Sequence, residues 1–370
     1  MSATVTGRSG SVAGVADSPA EAAVPATMPA AMYRSAGQLE VIEHPVPELG
    51  PTDVLIEVDY CGVCGSDLHM ILEGWGTPDT IEGHEYVGTI AAVGADVDRW
   101  APGDRVVGGA GQRCGRCEHC LDHRPSLCLE RGTPGLEPFQ GAFARYKRND
   151  QAEVLAIPDG MSERVAALAE PLAVALHAAT RSGIRHGQCA LVFGAGPIGA
   201  LLIAALRAKG IERVGVVEPN AVRRDLAVAV GATDAFTPEE LPAFDQADPG
   251  GLSADPWDVV FECSGNRRAM EAGPSQLKRA GTLVFVGAGI ERPKFDPNRI
   301  LMNELTITGS FIYDEGGFAD ALELLATGAL PTDRLLEPGA VPLSGMLDAM
   351  HGLAEGRIGG KVLVSPTGKD

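Results

Sequence analysis

Apolar and polar positions follow two different rhythms along this chain, and the change comes after His186. From Met32 onward the apolar stretches are short and end at Gly, Pro or Asp, as in Val54–Val58, Tyr86–Val93 and Arg105–Val107. Segments of that length and punctuation predict strands joined by turns, a β-rich, barrel-like unit. Ser162 is placed to cap a helix, and the Ala/Leu/Val-rich residues behind it predict helix with a break at Glu170-Pro171. Beyond His186 six strand candidates recur: Ala190–Phe193, Val214–Val217, Ala235–Phe236, Asp258–Glu262, Thr282–Val286 and Leu305–Ser310. Helical stretches separate most of them, which predicts a parallel doubly wound sheet and an α/β fold class. A helix over Phe318–Thr327 and an apolar run at Lys361–Val364 close the chain.

Two segments stand outside this scheme. Residues 1–30 are Ala, Ser, Gly, Pro and Thr in no periodic order with few large apolar side chains, which predicts a disordered extension. Cys189–Leu206 is 18 uncharged residues, the length of a membrane span, but its Gly-x-Gly-Pro-x-x-Gly start breaks any continuous helix. A buried strand followed by a buried helix accounts for it better. With 370 residues there is room for two domains with well-buried cores. A formal charge of −19 argues against nucleic acid or an anionic membrane surface as partner. Eight cysteines could form disulfides, yet residues 1–30 carry neither a basic n-region nor an apolar h-region, so a reduced, cytoplasmic setting is expected.

Candidate chemistry concentrates in Cys61–Glu85, where Cys64, Ser66, Asp67, His69, His84 and Glu85 fall within 25 residues. Thiolate, imidazole and carboxylate on one centre are the donors of a catalytic zinc that keeps one position open. Plainer readings stand beside it: Cys61 and Cys64 as half a structural zinc site or as a redox pair, and His84 as an ordinary buried histidine. A second cluster is more specific. Cys114, Cys117, Cys120 and Cys128 lie within 15 residues among turn-formers, which matches a closed tetrahedral structural zinc, with an iron–sulfur cluster as the rival. Four thiolates complete that shell, so His119 and His123 read as surface residues. The metal would order a short projecting lobe, a candidate subunit contact.

Gly194-Ala195-Gly196-Pro197-Ile198-Gly199 follows a buried strand and opens an apolar helix, the context a dinucleotide-binding turn requires. Pro197 suits the first helical turn, and the helix N-terminus offers free N–H groups to a diphosphate. Glu218 ends the next strand, 19 residues beyond Gly199, where an acid can accept hydrogen bonds from ribose hydroxyls and would repel a 2′-phosphate. That favours NAD, while Arg223 and Arg224 leave NADP open unless they are a solvated helix face. Ser264 and Gly287 each follow a later strand at the ligand-binding edge and are expected near the ribose and nicotinamide.

The two cysteine-containing motifs, the Gly-rich turn and their order resemble the zinc-containing medium-chain dehydrogenase/reductase family over about residues 32–366. Beyond the extension (1–30), the resemblance implies a GroES-like catalytic domain (31–172, with the zinc lobe at 108–135), a Rossmann domain (173–314) and a return to the catalytic domain (315–370). It implies two zinc ions per chain. Cys64 and His84 would ligate the catalytic one, Cys61 would not, and Glu85 and Glu170 would bind directly or through water. Glu170-Pro171-Leu172 is similar to the sorbitol, threonine and secondary-alcohol branch. The residues before His84, Asp79-Thr80-Ile81-Glu82, depart from the family's usual apolar pattern, which leaves the pocket wall around Trp75 open.

On this reading a zinc-bound alkoxide forms near neutral pH and passes a hydride to NAD. Ser66 and His69 would carry the proton outward, and Asp67 would hold the His84 ring. The expected partners are an alcohol or ketone and further copies of the chain, as a homo-dimer or homo-tetramer. The competing readings are an NADPH-dependent aldehyde or ketone reductase, a zinc-ribbon nucleic-acid-binding protein and a redox sensor using Cys61 and Cys64. A primary test of the second is a basic patch, and the charge offers none.

Overall fold

The computed structural model describes residues 24–110, 113–131, 140–241 and 248–369. The first strands are β1 (Thr27–Ser35), β2 (Gln38–Pro45) and β3 (Asp53–Gly62), followed by helix α1 (Gly65–Ile71). Strands β4 (Thr80–Ile81), β5 (Glu85–Val93) and β6 (Arg105–Gly108) lead to the cysteine lobe with its short helix α2 (Glu118–Leu121). Strands β7 (Tyr146–Asp150) and β8 (Leu155–Ala156) then give way to α3 (Glu163–Ala166) and α4 (Ala169–Ser182).

The second unit alternates as its sequence rhythm predicts. Its elements run β9 (Cys189–Phe193), α5 (Pro197–Ala208), β10 (Arg213–Val217), α6 (Ala221–Ala229) and β11 (Asp234–Phe236). They continue with β12 (Trp257–Glu262), α7 (Arg267–Ala272), β13 (Leu277–Phe285), α8 (Pro297–Met302) and β14 (Thr306–Gly309). The chain ends with α9 (Gly317–Ala326), α10 (Thr332–Leu335), β15 (Val341–Pro342), α11 (Met346–Ala354) and β16 (Leu363–Ser365).

All pairings from β9 to β14 are parallel, in the order β11-β10-β9-β12-β13-β14. The crossover between halves falls beside β9, the switch point where such sheets bind ligands. Both faces of β9 are buried: Ala190 and Val192 join the core under α4 and α5, while Leu191 and Phe193 join the opposite one. Two-sided burial explains why this strand reads as a continuous apolar run.

In the β-rich unit, β3 has more partners than a strand of ten residues usually finds. One edge pairs with β5; the other is shared by β7 at Asp53–Glu57 and by β16 at Cys61–Gly62. The C-terminal strand is thereby added to the unit that the N-terminal strands began.

Several expectations change. The first strand starts at Thr27, inside the predicted extension, because Met28 and Ala30 are fully buried against this unit's core; residues 1–23 lie outside the described residues. The helix does not break at Glu170-Pro171. It breaks at Ala167–Leu168, between α3 and α4, and Pro171 sits in the first turn of α4, where its missing N–H costs no hydrogen bond. Helix α9 packs on α4 and touches α3, the helices that follow the β-rich unit. Residues 111–112 and 132–135 of the expected lobe lie outside the described residues. Among the described residues no helix is long and apolar enough to cross a membrane.

Trp257 is 1% exposed, beneath the Arg213 guanidinium at 4.0 Å. Trp257→Ala should cost about 3–5 kcal/mol in denaturant unfolding. A loss below about 1 kcal/mol would show that this side chain is not part of the packed core.

Candidate active site

The β3–β5 register sets Glu85 opposite Gly62. It thus brings the Gly-His-Glu motif beside the chain leaving β3, where Cys64 begins helix α1. Cys64 is the N-cap, and Asp67, three residues on, accepts the Cys64 backbone N–H at 2.8 Å. This reciprocal capping fixes the start of the helix and the root of the thiol. The other Asp67 oxygen lies 3.7 Å from His84 Nδ1. Burial pushes the Asp67 carboxyl up to about 6, with His84 and the Cys64 N–H acting the other way.

Cys64 Sγ, a ring nitrogen of His84 and a carboxylate oxygen of Glu85 lie within 4.8 Å of one another. Sulfur, imidazole and carboxylate at that separation fit a zinc ion, whose bonds to them are ~2.0–2.3 Å. Cys61 points elsewhere, into the core, with its Sγ 3.7 Å from the Gly62 carbonyl. Glu170 lies outside that close set but near it. It is 4% exposed, and burial pushes its carboxyl up to about 7 while the His84 ring opposes the shift.

Two residues of this centre were not singled out from the sequence. Lys361 Nζ sits 2.7 and 2.6 Å from the two Glu85 oxygens and 3.0 Å from the Val63 carbonyl, with both charged side chains almost fully enclosed. Burial opposes the Lys361 charge, but Glu85, with Cys64 and Glu170 adding to it, raises the ammonium pKa. The only hint in sequence was a lone lysine heading an apolar run. Tyr313 is the other. Its buried hydroxyl has no hydrogen-bond partner among the described residues and packs beside Glu170 over Gly109, where an added Cβ would stand 2.4 Å from the hydroxyl and 2.6 Å from Glu170 Cγ.

The unusual residues before His84 are accommodated internally. Thr80 is fully buried and donates its hydroxyl to Glu82 at 2.8 Å. Trp75 stacks on His69. Ser66 and His69 lie three apart on α1, on one face, and no hydrogen bond joins them among the described residues.

A cleft of about 450 Å³ separates the two units. Cys64, His69 and Lys361 line one side, and Gly194, Gly196, Pro197, Ile198, Glu218, Arg223 and Ser264 line the other. Gly199 lies beneath the turn, where a Cβ would come 2.0 Å from the Gly194 carbonyl, so only glycine lets α5 approach β9 so closely. Gly287 packs on the Cys263–Gly265 backbone. Glu218 does more than face the cleft: its carboxylate accepts Ala195 N–H at 2.7 Å and Asn220 N–H at 2.9 Å, bracing the Gly-rich turn. Arg223 donates to the Leu353 carbonyl, and Arg224 donates to the Glu218 carbonyl at 2.8 Å, so neither is a purely solvated residue.

The four lobe sulfurs also lie within 4.8 Å of one another, with Cys114 and Cys120 at 4.0 Å. Sulfurs arranged tetrahedrally ~2.3 Å from zinc stand about 3.8 Å apart, so the set fits the ion. Backbone N–H groups of Leu129 and Cys120 hold the Cys117 thiol below its usual range. The lobe is tied down by Arg124 and Ser126 on Asp314 and by His123 on Glu315, so exposed His123 is an anchor.

Comparison with known proteins agrees with this layout. Residues 50–159 match the family described as alcohol dehydrogenase GroES-like domain, and residues 197–327 match zinc-binding dehydrogenase. Sorbitol dehydrogenase from Bacillus subtilis (strain 168) is 34% identical over 323 residues, covering 85% of this chain and 90% of that protein. A zinc-binding dehydrogenase from Sinorhizobium meliloti 1021, solved bound to NADP, superposes with a TM-score of 0.81 at 32% identity, covering 92% of this chain and 100% of that one. The 2R,3R-butanediol dehydrogenase from Bacillus subtilis gives a TM-score of 0.81 at 29% identity with the same coverage, 92% and 100%.

Removing one member of a buried ion pair leaves the other uncompensated. Lys361→Met should therefore destabilise the protein by about 3–5 kcal/mol in denaturant unfolding. An unchanged midpoint would show Glu85 to be solvated or neutralised without Lys361.

Proposed function

The chain belongs to the zinc-containing medium-chain dehydrogenase family, and on that footing we propose that it oxidises a secondary alcohol or polyol to the ketone, with hydride transfer to a nicotinamide. The observation that carries this reading is that Cys64 and Lys361, the latter paired to Glu85, open onto the same cleft as the Gly-rich turn. A donor set for a Lewis acid and a cradle for a dinucleotide thus face each other across one space. Relatives acting on sorbitol and on 2R,3R-butanediol supply the substrate class.

Cys64, His84 and a buried glutamate would hold a zinc ion, which would supply the Lewis acidity for an alcohol hydroxyl to lose its proton near neutral pH. The chain's own groups do the rest. Asp67 orients the His84 ring and sets which nitrogen faces the donors. Lys361 cancels the charge of Glu85, so the thiolate and carboxylates can crowd together without repelling one another apart. The free N–H groups at the start of α5 receive the diphosphate, and Glu218 receives the ribose hydroxyls through lone pairs its backbone contacts leave free. That acid, with both neighbouring arginines engaged on carbonyls, favours NAD over NADP. Ser66 takes the hydroxyl proton and His69 passes it to water. The same reading takes the protein as cytoplasmic and as a homo-dimer or homo-tetramer with the cysteine lobe at a subunit contact.

Zinc-loaded protein assayed on polyols, secondary alcohols and primary alcohols should reduce NAD faster than NADP, with secondary positions preferred. No turnover on any alcohol with either cofactor would sink the reading, and a preference for NADPH and aldehydes would favour the reductase alternative.

A further inference from the structure

The turn after α1 folds back onto the helix it leaves. Glu73 Oε2 lies 2.9 Å from His69 Nδ1, and the Trp75 ring stacks on the imidazole with centroids 4.7 Å apart and planes 15° from parallel. Between them Gly74 stands at φ +82°, where a side chain would be strained. That turn returns Trp75 so that its backbone N–H reaches the His69 carbonyl at 3.2 Å. One imidazole is therefore held at a ring nitrogen, at a face and at its backbone. His69 and Glu73 line both the main cleft and the adjoining space bounded by Ser264 and Ala288.

A carboxylate only accepts hydrogen bonds, so Nδ1 must carry the hydrogen and Nε2 keeps the lone pair. We propose that Glu73 and Trp75 are positioning residues that lock His69 in the Nδ1–H tautomer and one ring orientation, making Nε2 the single atom through which it relays a proton. The inference rests on the reading of His69 as the outer end of the proton route. In each cycle Nε2 gains the proton released by the alcohol, the imidazolium so formed faces the Glu73 carboxylate, and the proton leaves to water, restoring the neutral ring. An exposed Glu–His pair four residues apart adds little to helix stability, so its removal should register in turnover and not in unfolding.

The test compares zinc-loaded, full-length wild type with Glu73→Ala, His69→Gln and the double variant. Glu73→Ala should lower kcat about tenfold, with KM for alcohol and cofactor within about twofold. In the His69→Gln background the same change should cost less than about twofold, the non-additivity of two residues acting through one group. Glu73→Gln, whose amide oxygen still accepts from Nδ1–H, should restore most of the turnover, and Trp75→Ala should behave like Glu73→Ala while Trp75→Phe does not. Nitrogen-15 spectra, with His69 assigned by its loss in His69→Gln, should show Nδ1–H in wild type and a mixture in Glu73→Ala. An unchanged kcat, an equal loss in both backgrounds, or an Nε2–H tautomer in wild type overturns the proposal. A wild type inactive on every alcohol but fixed as Nδ1–H would count against the dehydrogenase reading and leave the tautomer lock standing.

Discussion

Lys361 and Glu85, 276 residues apart in sequence, meet as a buried ion pair at the centre of this protein. Each charge alone would cost several kcal/mol to enclose, so the pair is tolerable only when both partners arrive together. Its requirement propagates outward. β16 must add to β3 at Cys61–Gly62, which makes the last strand of the chain part of the unit begun by the first. The parallel sheet is therefore an insertion, tethered at both ends to the β-rich unit.

The cofactor side repeats the pattern of a buried acid organising backbone. Glu218 sits at the end of β10 and holds the N–H groups of Ala195 and Asn220. The carboxylate proposed to receive the ribose thus stiffens the Gly-rich turn proposed to receive the diphosphate. At the start of α6, Arg223 and its cap Asn220 reach the carbonyls of Leu353, in the last turn of α11, and Gly356, just beyond it. The Gly-rich-turn side and the donor cluster are thus tied to one segment, the one that ends in Lys361.

Legibility followed the range of the interactions. The donor motifs could be read because Cys64 and Asp67 belong to one helical turn and His84 and Glu85 adjoin in sequence, so spacing alone encodes their geometry. The sheet could be read because two-sided burial writes itself as apolar runs. Lys361 could not be read, since its meaning lies in a carboxylate far away in the chain, and a lysine before Val362 looks like a strand end. Tyr313 was missed for the same reason: Glu170 and Gly109 give its hydroxyl significance, and neither is near it in sequence. Pro171 misled because a proline breaks a helix in its interior but not in its first turn, and the sequence did not show where that turn began.

Zinc content, measured per chain on purified wild type, Cys64→Ser and Cys117→Ser, tests the central claim most directly. The account predicts about two zinc ions in wild type and about one in each variant, with only Cys64→Ser losing the alcohol-dependent reduction of NAD. One zinc in wild type, kept by Cys64→Ser and lost by Cys117→Ser, would contradict it.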